Sequence, residues 1–231
     1  MSSQMSKVTK GFTLIELMIS ISILTLLLLT GSFVYSMLYS RWDKQLGSFS
    51  ESARIAKNVE ITQRVLEGVH PFVVVDRTKR PAFFFIGGED SLLSVSYSGV
   101  FSGEFPEIFR ITSVKNQNGK FDLLYQAKSV ENFILLRTDQ DISFDHQLTL
   151  FKDLDSVQFS YLGWQDYKVK SSRFTSGVKM IRSNRYSGID SQIMPNKYSL
   201  TIVQSGKSLT IPVELDNQTE RWLSPYLETE E

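Results

Sequence analysis

The chain has 231 residues, 25 basic and 25 acidic side chains, two histidines and no cysteine. This length suits one core of ordinary size with an appended element. Because the formal charges cancel, the whole chain has no electrostatic signature for nucleic acid or for acidic partners. The lack of cysteine excludes disulfides, thiolate metal sites and a cysteine nucleophile.

The N-terminal part of the chain contains a long apolar run. Lys7 and Lys10 precede it, and Glu16 is the only charged residue between Lys10 and Arg41. About 20 apolar residues cross a bilayer, and basic residues before the span keep the N-terminus in the cytoplasm. The run is longer than the apolar region of a secretory signal, and no A-x-A-like cleavage site follows it. We therefore expect a single membrane-spanning helix over residues 12–40, with the rest of the chain exported.

Glu16 is the unexpected residue of this run. A charge at mid-membrane costs roughly 2.5–3.5 kcal/mol, and such residues usually have a function. If the chain is cut between Gly11 and Phe12, the new amine lies about 6 Å from Glu16 along a helix axis. When two such helices pack with an axial offset, the amine of one can pair with the carboxylate of the next. Glu16 is thus predicted to set the register of an assembly.

Residues 10–17, "KGFTLIEL", resemble the prepilin motif of type IV pilins and type II secretion pseudopilins. That motif has a short basic leader, a glycine, a phenylalanine and a glutamate at the fifth mature position, followed by a long apolar run. Gly11, Phe12 and Glu16 match it position by position. The resemblance implies that a prepilin peptidase removes residues 1–11 and that Phe12 is N-methylated. It also implies a bacterial inner-membrane subunit with a periplasmic head, which joins a filament.

The pattern beyond the membrane run indicates that the helix continues. Apolar residues recur at spacings of three and four and form one stripe. Gly68 followed by Pro71 is a stop signal. We therefore predict an amphipathic outer helix over residues 41–68, packed by its stripe on a head. Trp42 and Phe49 lie in the stripe and are expected in the core rather than on a partner surface.

Residues 69–231 contain short runs rich in β-branched and aromatic residues, which are typical of strands. The segment 116–119, "NQNG", and the dipeptide Ser205-Gly206 predict hairpin turns. No long segment with helical periodicity interrupts the strands. The predicted fold is α+β: a long N-terminal α-helix, half transmembrane and half amphipathic, packed on an antiparallel β-sheet head.

Two late segments extend the resemblance. Leu154–Tyr161 is followed by Trp164, and Met194–Ile202 begins the last predicted hairpin. This arrangement resembles the C-terminal pattern of J-type minor pseudopilins and related large minor pilins. It implies a subunit at or near a filament tip, joined to other minor pseudopilins or pilins through its N-terminal helix. The alternatives are a minor pilin of a surface pilus, used in adhesion or DNA uptake, a membrane-anchored binding protein and, third, an anchored periplasmic enzyme.

A basic segment, residues 167–189, lies between those two segments and contains no acid. It is interpreted as an insertion or long loop. A solvated loop and a contact with an acidic neighbouring subunit or exported substrate are the two main interpretations. Phosphate binding is the least favoured, and nucleic acid is not the expected partner. The candidate contact residues are Lys168, Lys170, Arg173, Lys179, Arg182 and Arg185.

The sequence offers little for catalysis or metal binding. "SGKS" at residues 205–208 lacks the first glycine of a phosphate loop, and no G-x-S-x-G elbow exists. Asp139, Asp141 and Asp145 could supply oxygen ligands to calcium, but their spacing does not match an EF-hand. They are weak candidates, and we expect neither a metal nor a cofactor. The expected role is structural, not enzymatic.

Overall fold

The computed structural model describes residues 13–172 and 177–227. One long helix, α1, runs from Leu14 to Glu67. It ends as predicted at Gly68, whose N–H donates to the carbonyl of Arg64 at 3.0 Å. A Cβ at Gly68 would lie 2.6 Å from Oγ of Ser96, so only glycine allows this close approach.

The chain forms two compact units, Met1–Arg54 and Ile55–Glu231. The division falls inside α1, because the last turns of the helix belong to the core of the second unit. Val65 and Leu66 are completely buried there, as the predicted stripe requires. We call the second unit the head.

The stripe prediction is wrong for the earlier part of α1. Trp42 and Phe49 are 61% and 72% exposed. Both precede the division at Arg54, and the part of α1 that contributes to the head's core begins only after it. The expected core packing of these two aromatic side chains is therefore not observed.

The strands of the head are antiparallel in all the pairings between them. One sheet has six strands, a second has four, and a separate hairpin has two. In chain order the strands are β1 (Val73–Val75), β2 (Pro81–Phe83), β3 (Ile86–Gly87), β4 (Ser91–Ser96), β5 (Glu107–Lys115), β6 (Phe121–Ser129), β7 (His146–Leu154), β8 (Ser156–Gly163), β9 (Ile181–Ser183), β10 (Tyr186–Ser187), β11 (Lys197–Gln204) and β12 (Lys207–Glu214). The six-stranded order is β10-β3-β4-β5-β6-β7, the four-stranded order is β12-β11-β8-β9, and β1 pairs with β2.

Short helical turns lie between some of these strands and after the last one. They are α2 (Tyr167–Ser171), α3 (Gly188–Ser191), a 3₁₀ turn (Thr219–Trp222) and α4 (Ser224–Leu227).

Both predicted hairpins are confirmed. Gly119 in the β5–β6 turn has φ 77°, and Ser205 and Gly206 in the β11–β12 turn have φ 51° and 76°. Two consecutive positive φ angles are the requirement of a type I′ turn.

The core lies between the inner faces of the two larger sheets and the end of α1. Phe159 and Tyr161 of β8 are fully buried, because alternate residues of a strand point to the same face of the sheet. Phe85 contacts the rings of Tyr161 and Tyr198 at centroid distances of 5.9 and 5.7 Å. The hydroxyl of Tyr198 donates to the carbonyl of Leu66 at 2.6 Å, which ties the helix end to the four-stranded sheet.

The helix is also tied to the six-stranded sheet. Nδ2 of Asn58 donates to the carbonyl of Leu150 at 2.6 Å. Leu150 lies in β7, the edge strand on that side of the sheet. The amide thus satisfies an edge carbonyl that no further strand covers.

Candidate functional site

The start of α1 is a capping box formed by Thr13 and Glu16. The N–H and the hydroxyl of Thr13 each donate to Oε2 of Glu16 at 3.0 Å. In return the N–H of Glu16 donates to Oγ1 of Thr13 at 3.4 Å. This reciprocal arrangement satisfies donors that a helix N-terminus leaves open. The sequence reasoning missed Thr13, although Thr-x-x-Glu directly before an apolar run is the signature of this cap.

The capping box fixes where the Glu16 carboxylate lies. It sits in the first turn of α1, at the end where the helix dipole favours a negative charge. Gly11 and Phe12 lie outside the described residues. Cleavage between them, methylation of Phe12 and its pairing with Glu16 therefore stay predictions.

The first part of α1 has the properties of a membrane span. Leu14–Tyr39 is apolar enough and long enough to cross a bilayer, by length and composition. Its hydroxyl groups bond within the helix: those of Ser20, Ser22, Thr25 and Thr30 donate to the carbonyl four residues earlier at 2.7–2.9 Å. Internal bonding of this kind removes the cost of a hydroxyl in an apolar medium.

The described parts of the basic segment have more secondary structure than predicted. They contain α2, β9, β10 and the first residues of α3 instead of one long loop. Helix α2 begins because the side chain of Asp166 accepts a hydrogen bond from the N–H of Val169 at 2.8 Å. Strand β9 pairs with the end of β8, and β10 pairs with β3. Arg173, one of the predicted contact residues, lies outside the described residues.

Lys170 is not available as a partner contact. It is 8% exposed. Its ammonium donates to Oε2 of Glu220 at 2.6 Å and also to the carbonyl of Asn217. The inward face of α2 carries this lysine towards the C-terminal 3₁₀ turn, and its charge is used inside the fold.

The remaining described cations of the segment face solvent. Lys168, Lys179, Arg182 and Arg185 are all exposed. Within residues 13–172 and 177–227, no ion pair or hydrogen bond engages their ammonium and guanidinium groups. Contact of these charges with an acidic partner stays a prediction.

The three weak calcium candidates do not form a metal site. Asp139 pairs with Arg137 at 2.7 Å, and Asp145 pairs with Lys128 at 3.0 Å. The hydrogen bond from Arg137 lowers the pKa of Asp139. In the part of the chain that the structure describes, no group of three or more histidine, aspartate or glutamate residues is placed to hold a metal ion. Asp141 therefore belongs to no such group.

Glu107 is a buried carboxylate that the sequence reasoning did not single out. It accepts hydrogen bonds from the N–H groups of Val100 at 3.0 Å, Phe101 at 2.6 Å and Ser102. The hydroxyl of Tyr125 donates to it at 2.5 Å. Burial and this hydrogen bond raise the pKa of Tyr125 well above its usual value. These hydrogen bonds hold the loop before β5 against the sheet. All four donors to the carboxylate belong to the head itself.

Comparison with known families supports the reading of the N-terminus. The model for the prokaryotic N-terminal methylation motif matches residues 6–32. No curated protein matches the chain. The matched range contains Gly11, Phe12 and Glu16 and extends into the apolar part of α1. The motif indicates a type IV pilin-like protein, and the apolar helix fits anchoring in a membrane.

Proposed function

We propose that this protein is a minor pseudopilin, a structural subunit at or near the tip of a type II secretion pseudopilus. It helps to initiate assembly and thereby supports protein export across the outer membrane. The observation that carries the proposal is the Glu16 carboxylate, held in the first turn of an apolar helix inside the matched methylation motif.

The proposed mechanism starts with removal of residues 1–11 by the prepilin peptidase. The new amine of Phe12 then lies at the helix start, one turn from Glu16. The capping box satisfies the carboxylate within one chain until a neighbouring amine reaches it. Because a buried charge without its partner costs about 3–5 kcal/mol, the pairing favours one axial offset between adjacent helices.

The proposal includes a position near the filament tip and a likeness to J-type minor pseudopilins. Residues 156–163 and 197–214, which include most of the two family-like segments, form neighbouring strands of one sheet. The head also contains the basic segment, with four exposed cations among its described residues. We propose that the role of the protein is assembly and partner contact, without enzymatic activity. The N-terminus is cytoplasmic and the head periplasmic.

The test is a Glu16→Gln variant expressed in the native host. We expect it to insert in the membrane but to lose co-purification with neighbouring subunits and to lower export of secreted proteins. Glu51→Gln is the matched control, because Glu51 lies on the exposed helix beyond the span, paired with Arg54. Normal assembly of the Glu16 variant would contradict the proposal and favour an anchored binding protein. Loss of surface fibres with normal export would favour a surface pilus instead.

A further inference from the structure

Three large amphipathic side chains lie together where the apolar part of α1 ends. Tyr35, Tyr39 and Trp42 are four and three positions apart in the helix, so they share one of its faces. All three side chains are exposed. The rings of Tyr35 and Tyr39 stack at a centroid distance of 6.5 Å. We call these three residues the aromatic patch.

The apolar segment is longer than the hydrocarbon core of a bilayer is thick. Leu14–Tyr39 has 26 residues, which corresponds to about 39 Å at about 1.5 Å per residue. The hydrocarbon core is about 30 Å thick, and the headgroup regions bring the whole bilayer to about 40–45 Å. A span of this length therefore either tilts or has ends that lie among the headgroups. The side chains near its two ends distinguish these arrangements.

The positions of Glu16 and Tyr35 match the two edges of the hydrocarbon core. The helix rises about 28 Å from one residue to the other, which is close to the core thickness of about 30 Å. No residue between them is charged. If the core extends from Glu16 to Tyr35, the carboxylate lies at one edge, where a charge costs less than at mid-membrane. The aromatic patch then begins at the other edge.

The chemistry of the aromatic patch fits a headgroup region. Tyrosine and tryptophan rings have an apolar body and a polar hydroxyl or N–H group, so they are enriched where a membrane meets water. From Tyr35 to Trp42 the helix rises about 10 Å, which carries the patch from the hydrocarbon edge through the headgroups. Arg41 lies in the same interval and is the first charged residue after Glu16. Long basic side chains near helix ends also reach this region.

We propose that the aromatic patch is an interfacial anchor, which binds among the phospholipid headgroups of the leaflet far from the N-terminus. The anchor fixes the depth of α1 in the bilayer. It thereby holds Glu16 at the opposite edge of the hydrocarbon core, near the headgroups on the side of the N-terminus. The inference rests on the membrane anchoring in the proposed function, but not on assembly into a filament.

Spin labels at single sites measure the depth of the helix. Because the chain has no cysteine, one introduced cysteine takes the label at a chosen position. Full chains with Thr25→Cys, Thr30→Cys or Ser36→Cys are reconstituted at high dilution in vesicles of phosphatidylethanolamine and phosphatidylglycerol. Relaxation of each label by oxygen and by a water-soluble nickel chelate gives its depth. We expect position 25 at the bilayer centre, position 30 about 7 Å further out and position 36 at the headgroups.

The test variant combines Tyr35→Leu, Tyr39→Leu and Trp42→Leu with the label at Ser36→Cys. Leucine keeps an apolar side chain but removes the polar hydroxyl and N–H groups, so the apolar run becomes longer. We expect the label to move into the hydrocarbon by about one helical turn, or about 5 Å. Phe33→Leu with the same label is the matched control, because Phe33 is an exposed aromatic residue inside the proposed hydrocarbon interval. The control should leave the depth unchanged.

Several outcomes would overturn the proposal. One is a label at position 36 that lies as deep as the label at position 30 while the aromatic patch is intact. Others are an unchanged depth in the leucine variant, or an equal shift in the Phe33 control. Strong spin–spin broadening at position 36 would show that the patch covers a neighbouring helix instead of lipid. No readout involves the peptidase or another subunit, so failure here is distinguishable from failure of the Glu16→Gln test.

Discussion

Replacing Glu107 by glutamine should destabilise the head strongly. The two carboxylate oxygens share four donors: Oε1 accepts from Phe101 and Ser102, and Oε2 accepts from Val100 and Tyr125. Glutamine keeps one acceptor oxygen and turns an NH₂ group towards the other pair of donors. One or two hydrogen bonds from backbone N–H groups to a charged group are lost, because the Tyr125 hydroxyl can turn and accept from the new NH₂ group. At about 1.5–3 kcal/mol each, we expect a loss of about 1.5–6 kcal/mol. That is a large part of the usual stability of 5–15 kcal/mol of a domain.

The assay is urea unfolding of the full chain in detergent, followed by tryptophan fluorescence. Trp164 is buried in the head and 7% exposed, so its emission reports unfolding. Glu104→Gln is the control, because Glu104 lies in the same loop and is exposed. We expect the control to change the free energy of unfolding by less than about 0.5 kcal/mol. Equal stability of the Glu107 variant and the wild type would refute the reasoning.

Three further predictions concern the head. Lys170→Met should lower the free energy of unfolding by about 1–3 kcal/mol, because Glu220 loses its partner, whereas Lys168→Met should have little effect. Asn58→Ala should lower the free energy of unfolding by a similar amount in the same assay, since it leaves the edge carbonyl of Leu150 without its donor. Burial raises the pKa of Tyr186 from 10.0 to about 12. Because the unfolded chain ionises first, the contribution of Tyr186 to stability should be constant below pH 10 and should be lost between pH 10 and about 12.

Each of these has a contradicting outcome. Equal effects of the two lysine substitutions would show that burial of Lys170 carries no energetic weight. An Asn58→Ala variant as stable as the wild type would show that the hydrogen bond from Asn58 to Leu150 does not stabilise the head. A free energy of unfolding that rises above pH 10 would reverse the sign expected for buried neutral tyrosines.

Local signals explain what the sequence could predict. The helix stop at Gly68, the turns at Gly119 and Gly206 and the buried face of β8 each depend on a few neighbouring residues. The methylation motif is likewise one contiguous stretch. Thr13 belongs to this group, since the capping box is visible as Thr-x-x-Glu.

Non-local geometry explains the misses. Glu107 meets Tyr125 only through the pairing of β5 with β6, which no local pattern reveals. Lys170 resembles the other cations of its segment in sequence, but its partner Glu220 lies 50 residues away. The exposure of Trp42 depends on where the head's core begins along α1. The spacing of apolar residues is the same on both sides of that point, so the sequence pattern does not reveal it.

The most direct test of the central claim is the intact mass of the protein purified from its native host, with and without the prepilin peptidase. The account predicts loss of residues 1–11 and one added methyl group on Phe12 when the peptidase is present. It predicts the unprocessed chain when the peptidase is absent. An unprocessed chain beside an active peptidase would contradict the pilin-like account, and Glu16 would then be a membrane charge without a role.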